Sequence, residues 1–169
     1  NLLCTSCHSP TPTARAHVDL STVVRKNYDS LEHHHHAPGT SGSRCVDCHM
    51  PERTYMIVDP RRDHGFRVPR PDLAAATGAP HACTGCHRER DAAWAAARID
   101  EWSGPKERGS HFGVALQAGR TGRAGAVQGL LALLGEPAPA IVRATALHEL
   151  VRYPSREAVA AFEAARSDP

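Results

Sequence analysis

The spacing of apolar residues changes about halfway along the chain. Beyond residue 90, apolar side chains recur about every three or four positions, which is typical of amphipathic helices. Glycine, proline and serine stand where such helices should begin or end, as at Gly135, Pro139, Pro154 and Ser155. The pattern predicts five helices, over residues 91–102, 111–120, 124–134, 140–153 and 155–165.

Residues 1–90 show no such period. Residues 50–82 contain five prolines and two glycines, so long regular structure is not expected there. The apolar run at residues 54–58 predicts one short strand, and residues 37–43 are rich in turn-forming residues. The first half is therefore predicted to consist of loops and short helices, and the fold class to be mainly α with much irregular structure.

Composition changes this picture, because aromatic residues are few for a chain that must build a conventional core. They make up only 5% of the 169 residues, whereas there are 12 histidines and 6 cysteines. The formal net charge is +2, with no lysine-rich or aromatic–basic segment, so no nucleic-acid partner is expected. No apolar run approaches the roughly 20 residues that a membrane span needs, so no membrane-spanning helix is expected.

All six cysteines belong to three copies of the pattern Cys-x-x-Cys-His. The copies are Cys4-Thr-Ser-Cys7-His8, Cys45-Val-Asp-Cys48-His49 and Cys83-Thr-Gly-Cys86-His87. In c-type haem attachment, two thiols add to the vinyl groups of one haem and the adjacent histidine binds the iron. The motifs therefore predict three covalently attached haem c groups, with the three motif histidines as proximal ligands.

Other uses of these cysteines fit the pattern less well. A thioredoxin-like redox motif needs one Cys-x-x-Cys in a βαβ setting. Zinc binding gives no reason for a histidine directly after the second cysteine in every copy, and disulfides have no use for that histidine. Haem is preferred, and it would supply the core of residues 1–90, which we expect to be unfolded without it.

A low-potential electron carrier needs a second histidine on each iron, and nine histidines remain for that role. His33 and His36 are predicted distal ligands of two different haems, because positions i and i+3 share a face if the segment is helical. His35 is their main competitor. His64 is the third prediction, because Gly65 beside it lets the backbone approach a flat cofactor.

The remaining candidates are weaker. His17 is a reserve ligand, and Met56 could give His/Met ligation. His81 lies too close to Cys83 in sequence to reach the haem of that motif. The last two histidines, His111 and His148, are expected on helix surfaces.

Arginines cluster around His64 in the sequence. Arg61, Arg62 and Arg67 are predicted to bind haem propionates, for which the planar guanidinium group is well suited, and Arg70 is close by. The alternative is a solvated basic loop. Trp94 is expected either to pack in the core or to contact the third haem.

Two regions follow from these patterns. Residues 1–90 are predicted to form a trihaem cytochrome module with haem as its core, and residues 91–169 an all-α region. Residues 137–150 resemble one unit of a HEAT-type repeat, in which helix hairpins stack on their neighbours, so more units are expected beyond the chain. The alternative is an ordinary helical cap on the haem module.

Residues 33–73 carry a match longer than the bare motifs. They contain His-His-Ala-Pro-Gly-Thr-Ser-Gly, Cys-Val-Asp-Cys-His-Met-Pro and Thr-Tyr-Met-Ile-Val-Asp-Pro-Arg-Arg-Asp-His-Gly-Phe-Arg-Val-Pro-Arg-Pro-Asp-Leu. With the third motif and Trp94, this resembles a group of exported bacterial multihaem cytochromes, often fused to TPR or HEAT-type repeats, over roughly residues 1–100. It is also loosely similar to haem-packing segments of nitrite-reductase and tetrahaem electron-carrier cytochromes.

The resemblance implies electron transfer outside the cytoplasm. In that family a further Cys-x-x-Cys-His commonly precedes the first motif, and this chain lacks it, so a fourth haem or a ligand is expected upstream. The expected location is the periplasm or the cell exterior, with the signal peptide absent from this chain. Expected partners are redox proteins or further cytochrome subunits, with assembly through the helical region.

The sequence is compatible with two functions, an electron carrier and a reductase. Motif starts lie only 41 and 38 residues apart, so small loops would pack the haems closely, and abundant histidine favours six-coordinate iron without a substrate site. Both features favour an electron carrier. The alternative is a reductase of the nitrite or hydroxylamine type, which needs one haem with an open position. No motif is marked out for this role, for example by lysine in place of the proximal histidine.

The purified protein is expected to contain three covalent haems per chain. Three complete motifs leave no cysteine over, so intact mass should show three haem additions that survive acid–acetone extraction. As a matched control, a Cys45→Ala/Cys48→Ala variant should show two. Fewer additions in the native sequence, or zinc in their place, would contradict the haem assignment.

Overall fold

The computed structural model describes residues 1–14, 17–105, 107–135 and 138–167. Within these ranges the chain is mainly helical, with ten helices and one two-stranded sheet. In chain order the elements are α1 (Leu2–Thr5), α2 (Leu31–His34), α3 (Cys45–His49), β1 (Glu52–Tyr55), β2 (Asp59–Arg62), α4 (Pro71–Thr77), α5 (Cys83–Cys86), α6 (Ala92–Ser103), α7 (Phe112–Thr121), α8 (Ala126–Gly135), α9 (Ala140–Leu150) and α10 (Arg156–Ala165).

The chain divides into two compact units. The first comprises Asn1–Pro71 and Pro80–Ala95, and the second comprises Asp72–Ala79 and Ala96–Pro169. The boundary predicted at residues 90 and 91 thus falls shortly before the one observed within α6. Most of α4, which the sequence did not separate from the haem-motif region, belongs to the second unit.

The second unit has a conventional apolar core. Helices α7, α8 and α9 pack on one another, and α10 packs on α8 and α9. The core consists of Leu116, Leu130, Leu133, Val142, Ala146, Leu150 and Ala158. The helices predicted beyond residue 90 are all present, and their ends are shifted by a few residues at most. The predicted serine cap of α10 is also present, since Ser155 accepts a hydrogen bond from the Ala158 amide at 3.1 Å.

Polar contacts reinforce the packing of α7 on α9. The buried Glu149 carboxylate of α9 accepts from Arg120 Nε of α7 at 3.1 Å, and Arg152 lies 3.5 Å from its other oxygen. The Tyr153 hydroxyl donates to the Gly119 carbonyl. A buried carboxylate is tolerated only when it is paired, and both arginines keep their outer parts in water.

The first unit contains short elements only. Strands β1 and β2 form an antiparallel hairpin in which Glu52 stands opposite Arg62, a favourable cross-strand charge pair. The strand predicted over residues 54–58 is wrong in its second half, because Met56, Ile57 and Val58 form the exposed turn of the hairpin. Met56 and Ile57 there adopt φ of 48° and 75°, which a strand cannot contain.

Glu136 and Pro137, where the repeat-like segment 137–150 starts, lie outside the described residues. Across the described parts of the chain, none of the helices combines the length and apolar character needed to cross a membrane.

Close packing of α7 on α8 predicts an interaction between two substitutions. A Cβ added at Gly119 would lie 2.9 Å from Cδ1 of the fully buried Leu130, so Gly119→Ala should destabilise the protein by about 1 kcal/mol despite its better helix propensity. Leu130→Ala should cost about 2–5 kcal/mol. In the Leu130→Ala background, however, Gly119→Ala should restore about 1 kcal/mol, as measured by urea unfolding.

Gly129 supplies the matched control for this experiment. It also lies inside a helix, but its added Cβ would meet Ala115 at 3.4 Å, an ordinary contact. Gly129→Ala should therefore stabilise the protein by roughly 0.5–1 kcal/mol in either background. Strictly additive effects of Gly119→Ala and Leu130→Ala would contradict the packing described for these helices.

Candidate haem-binding site

All three Cys-x-x-Cys-His motifs lie in the first unit, on separate short helices. The first motif starts in α1, the second forms α3, and the third forms α5 with His87 as its C-cap residue. In α3 and α5 the two cysteines of the motif are three positions apart in one helix and so lie on the same face. All six cysteines are free thiols; Cys86 is exposed and the other five are half-buried.

Successive motifs are neighbours in space. Burial raises the pKa of the Cys45 thiol, and the adjacent Cys4 of the first motif adds to the rise. Burial likewise raises the pKa of the Cys48 thiol to about 11, with a further contribution from Cys83 of the third motif. Groups attached at these motifs would therefore lie close together, in the order of the chain.

The first motif is tied to the second through Asn1. Its side-chain oxygen accepts a hydrogen bond from the Cys45 amide at 2.9 Å, and its side-chain nitrogen donates to the Ser43 carbonyl at 3.0 Å. The Cys45 amide begins α3 and has no partner within that helix, so Asn1 caps a helix more than forty residues away.

A polar network holds α3 against the hairpin. Arg62 donates through Nη1 to the carbonyls of Val46 and Met50 at 3.3 and 3.2 Å, and lies 3.6 Å from Asp47. Burial alone would raise the pKa of Asp47, but hydrogen bonds from Arg44 and Gly42 outweigh it and leave that pKa lowered. Asp47 is therefore ionised. Its carboxylate interacts with Gly42 and Arg44, which precede α3, and with Arg62 of the hairpin.

The three arginines predicted to bind propionates have different surroundings. Arg62 is engaged by the peptide carbonyls of α3, whereas Arg61 pairs with Asp59 at 2.6 Å and lies over the Tyr55 ring. Arg67 lies 3.8 Å from Asp63 with its side chain largely exposed. Arg61 and Arg67 have solvent-facing guanidinium groups, while Arg62 serves the protein's own backbone.

The histidine rings are grouped around the motifs. The rings of His33 and His49 have centroids 6.2 Å apart and planes within 2° of parallel. The ring of His36 lies 6.1 Å from that of His87, which also contacts Trp94 at 5.0 Å. His8 of the first motif is exposed and has Tyr28 edge-on at 6.2 Å.

Several of these imidazoles have their Nδ1 atoms occupied by backbone carbonyls. His49 Nδ1 donates to the Arg67 carbonyl at 2.9 Å, and His64 Nδ1 donates to the Arg62 carbonyl at 2.8 Å. His36 Nδ1 makes the same type of bond to the His34 carbonyl. A carbonyl can only accept, so the proton sits on Nδ1 and Nε2 is left free to bind a metal.

His33 is half-buried between Tyr28 and His49. Burial lowers the pKa of His33, and electrostatic repulsion from His49 and Lys26 lowers it further. The ring is therefore neutral at neutral pH, which is the form that can ligate a metal.

The relation between His33 and His36 differs from the one predicted. Helix α2 ends at His34, and His35 adopts the left-handed conformation with φ of 54°. His36 consequently lies beyond the helix end, so the two rings do not share one helix face. The rings nevertheless lie beside the histidines of two different motifs, His33 beside His49 and His36 beside His87.

At this site, sequence reasoning set one residue aside and missed another. The Nδ1 atom of His81 is buried without a hydrogen-bond partner among the described residues, and burial lowers its pKa. Gly42 lies against the His36 ring, where an added Cβ would stand 2.5 Å from Cδ2. The backbone at position 42 requires glycine because its φ is 90°, and this angle cannot be read from the sequence.

The weaker candidates are placed as follows. His17 is exposed, and Met56 is exposed at the hairpin turn. His148 is exposed on α9, as predicted, whereas His111 is half-buried and caps α7 by accepting from the Gly113 amide at 3.1 Å.

Comparison with known protein families, curated proteins and solved structures found no match to this chain. Nor do the described residues contain a group of three or more His, Cys, Asp or Glu side chains gathered for one metal ion. Haem iron takes only two axial ligands from the protein, and the thiol pairs and free Nε2 atoms of the first unit are the donor set that c-type haem requires.

Replacement of Arg62 and of the adjacent Arg61 is expected to reduce stability by different amounts. Arg62→Ala removes two hydrogen bonds to α3 and an ion pair with Asp47, and should destabilise the haem-loaded protein by about 2 kcal/mol. Arg61→Ala, whose partner is exposed, should cost less than about 1 kcal/mol. Guanidinium unfolding followed by haem absorbance measures both. Equal losses would contradict the structural role of Arg62.

Proposed function

We propose that this protein is a multihaem c-type cytochrome that carries electrons through three closely packed haems. The observation that carries the proposal is the gathering of three complete Cys-x-x-Cys-His motifs in one unit, with the thiols of successive motifs close enough to interact electrostatically. Each bound haem c would supply a one-electron iron couple. Short separations between neighbouring sites favour transfer along the row.

The chain's own residues divide the work of holding these groups. The cysteine pairs of the motifs form the thioether links, and His8, His49 and His87 bind the irons from one side. His33, His36 and His64 are the proposed ligands of the opposite sides. A carbonyl partner on Nδ1 fixes the ring of His49, His36 and His64 in the tautomer that presents Nε2.

The distribution of burial supports haem as the core of the first unit. Of the apolar side chains described there, Ala95 and Pro71 are buried, while Leu2, Leu3 and Phe66 are 90%, 89% and 66% exposed. The larger buried apolar side chains all belong to the second unit. Leu2 and Leu3 directly precede Cys4, where a porphyrin plate would cover them.

The surroundings of the remaining groups refine the proposal. Arg61 and Arg67, with exposed guanidinium groups, are better placed for haem propionates than Arg62, which is bound to α3. The helix pairs α7–α10 are the proposed repeat-like region, through which the cytochrome would dock on redox proteins or further cytochrome subunits. Because c-type haem is attached outside the cytoplasm, the proposed location is the periplasm or the cell exterior.

An electron carrier with six-coordinate irons should be fully reducible and should not bind carbon monoxide. Dithionite should shift the whole haem spectrum reversibly, with no change on adding carbon monoxide and no turnover of nitrite or hydroxylamine. A wild-type haem that binds carbon monoxide and turns over either substrate would overturn the carrier assignment in favour of the reductase.

Replacement of His64 tests the third distal ligand. His64→Ala should turn one haem high-spin and able to bind carbon monoxide, while the other two stay low-spin. His148→Ala, an exposed histidine of the second unit, is the control and should leave the spectrum unchanged. An unaltered spectrum for His64→Ala would exclude His64 and direct the search to His81, whose Nδ1 is buried without a partner in the described chain.

A further inference from the structure

We infer that His33 and His49 are the axial pair of the haem linked to Cys45 and Cys48, and that His36 and His87 are the axial pair of the haem linked to Cys83 and Cys86. This inference rests on the proposed function and assigns two of its ligands to particular irons. His64, the third proposed distal ligand, is then left for the iron bound by His8.

The separation of the rings carries the assignment. An imidazole nitrogen binds a first-row metal at about 2.0 Å and lies roughly 1.1 Å from its ring centre, so two imidazoles on one iron have centroids about 6.2 Å apart. The His33–His49 and His36–His87 centroids are 6.2 and 6.1 Å apart. Both pairs join a motif histidine to a histidine of the 33–36 run.

Ring orientation points the same way. His49 and His36, one from each pair, donate Nδ1 protons to backbone carbonyls and so keep Nε2 for a metal. The His33 and His49 planes are parallel within 2°, an orientation that two imidazoles bound to opposite faces of one haem iron can adopt.

The backbone explains how adjacent histidines reach different irons. His33 lies in α2, the left-handed residue His35 ends the helix, and His36 continues in a new direction. Gly42 then lies against the His36 ring, with its added Cβ at 2.5, 2.7 and 2.8 Å from three ring atoms. Such similar distances to Cδ2, Nε2 and Cγ place Gly42 over the ring face, where a side chain at position 42 would displace the imidazole.

The test uses the haem-loaded full chain and low-temperature electron paramagnetic resonance. His33→Ala and His36→Ala should each convert one of the three haems to a high-spin form that added imidazole returns to low spin. The double variant should convert two. His35→Asn is the matched control, because asparagine tolerates the left-handed conformation, and it should leave all irons low-spin.

A variant lacking the middle haem identifies which iron each histidine serves. In the Cys45→Ala/Cys48→Ala background, His33→Ala should add no high-spin signal, whereas His36→Ala should still convert one haem. The reverse result would overturn the pairing. Should the alanine variants not accumulate, His33→Met and His36→Met retain an axial ligand, and each should raise the potential of one haem only; unchanged potentials would also overturn it.

The outcomes separate this inference from the proposed function. If the wild-type chain lacks three covalent haems, the cytochrome assignment itself fails. If it has three low-spin haems and the His33 and His36 variants keep them all low-spin, the cytochrome assignment survives and only the pairing is wrong.

Discussion

The first unit must hold together with almost no apolar protein core. Its described residues bury little beyond Ala95 and Pro71, yet they form one compact unit. Hydrogen bonds and ion pairs bridge distant segments instead, as when Asn1 caps α3 or Arg62 binds its carbonyls. Individually such contacts contribute only about 0.5–3 kcal/mol, which is too little to order this many loop residues. Covalent and coordinate bonds to haem would supply the missing free energy, since each would close a loop between distant segments.

The second unit shows how far local pattern determines structure. Its helices were predictable because apolar periodicity, capping residues and proline or glycine ends agree with one another, and packing buries the face that the period marks. The hairpin was not predictable in this way. The run Tyr-Met-Ile-Val has strong strand propensity, but in the observed register, with Glu52 opposite Arg62, its last three residues form the turn.

The candidate ligands could be listed from the sequence, whereas their arrangement in space could not. Three repeats of one spacing identify thiol pairs and their adjacent imidazoles without any knowledge of the fold. Which of four consecutive histidines reaches which motif depends instead on a single left-handed residue, His35, and on Gly42 over the His36 ring. Arg62 illustrates the same limit, because residue type suggests a propionate ligand while its position makes it a cap for α3.

Neighbouring motifs and crossed ligands have a common consequence for electron transfer. If His36, which precedes the second motif, binds the iron of the third, then the segment 33–49 contributes to two adjacent haems at once. The polar anchor at Asp47 lies inside this segment, with Gly42, Arg44 and Arg62 as its partners. One rigid stretch would therefore fix both the distance and the relative orientation of two redox centres. A carrier gains from such rigidity, because a fixed geometry lowers the reorganisation that accompanies each transfer, whereas a reductase must keep one iron accessible to its substrate.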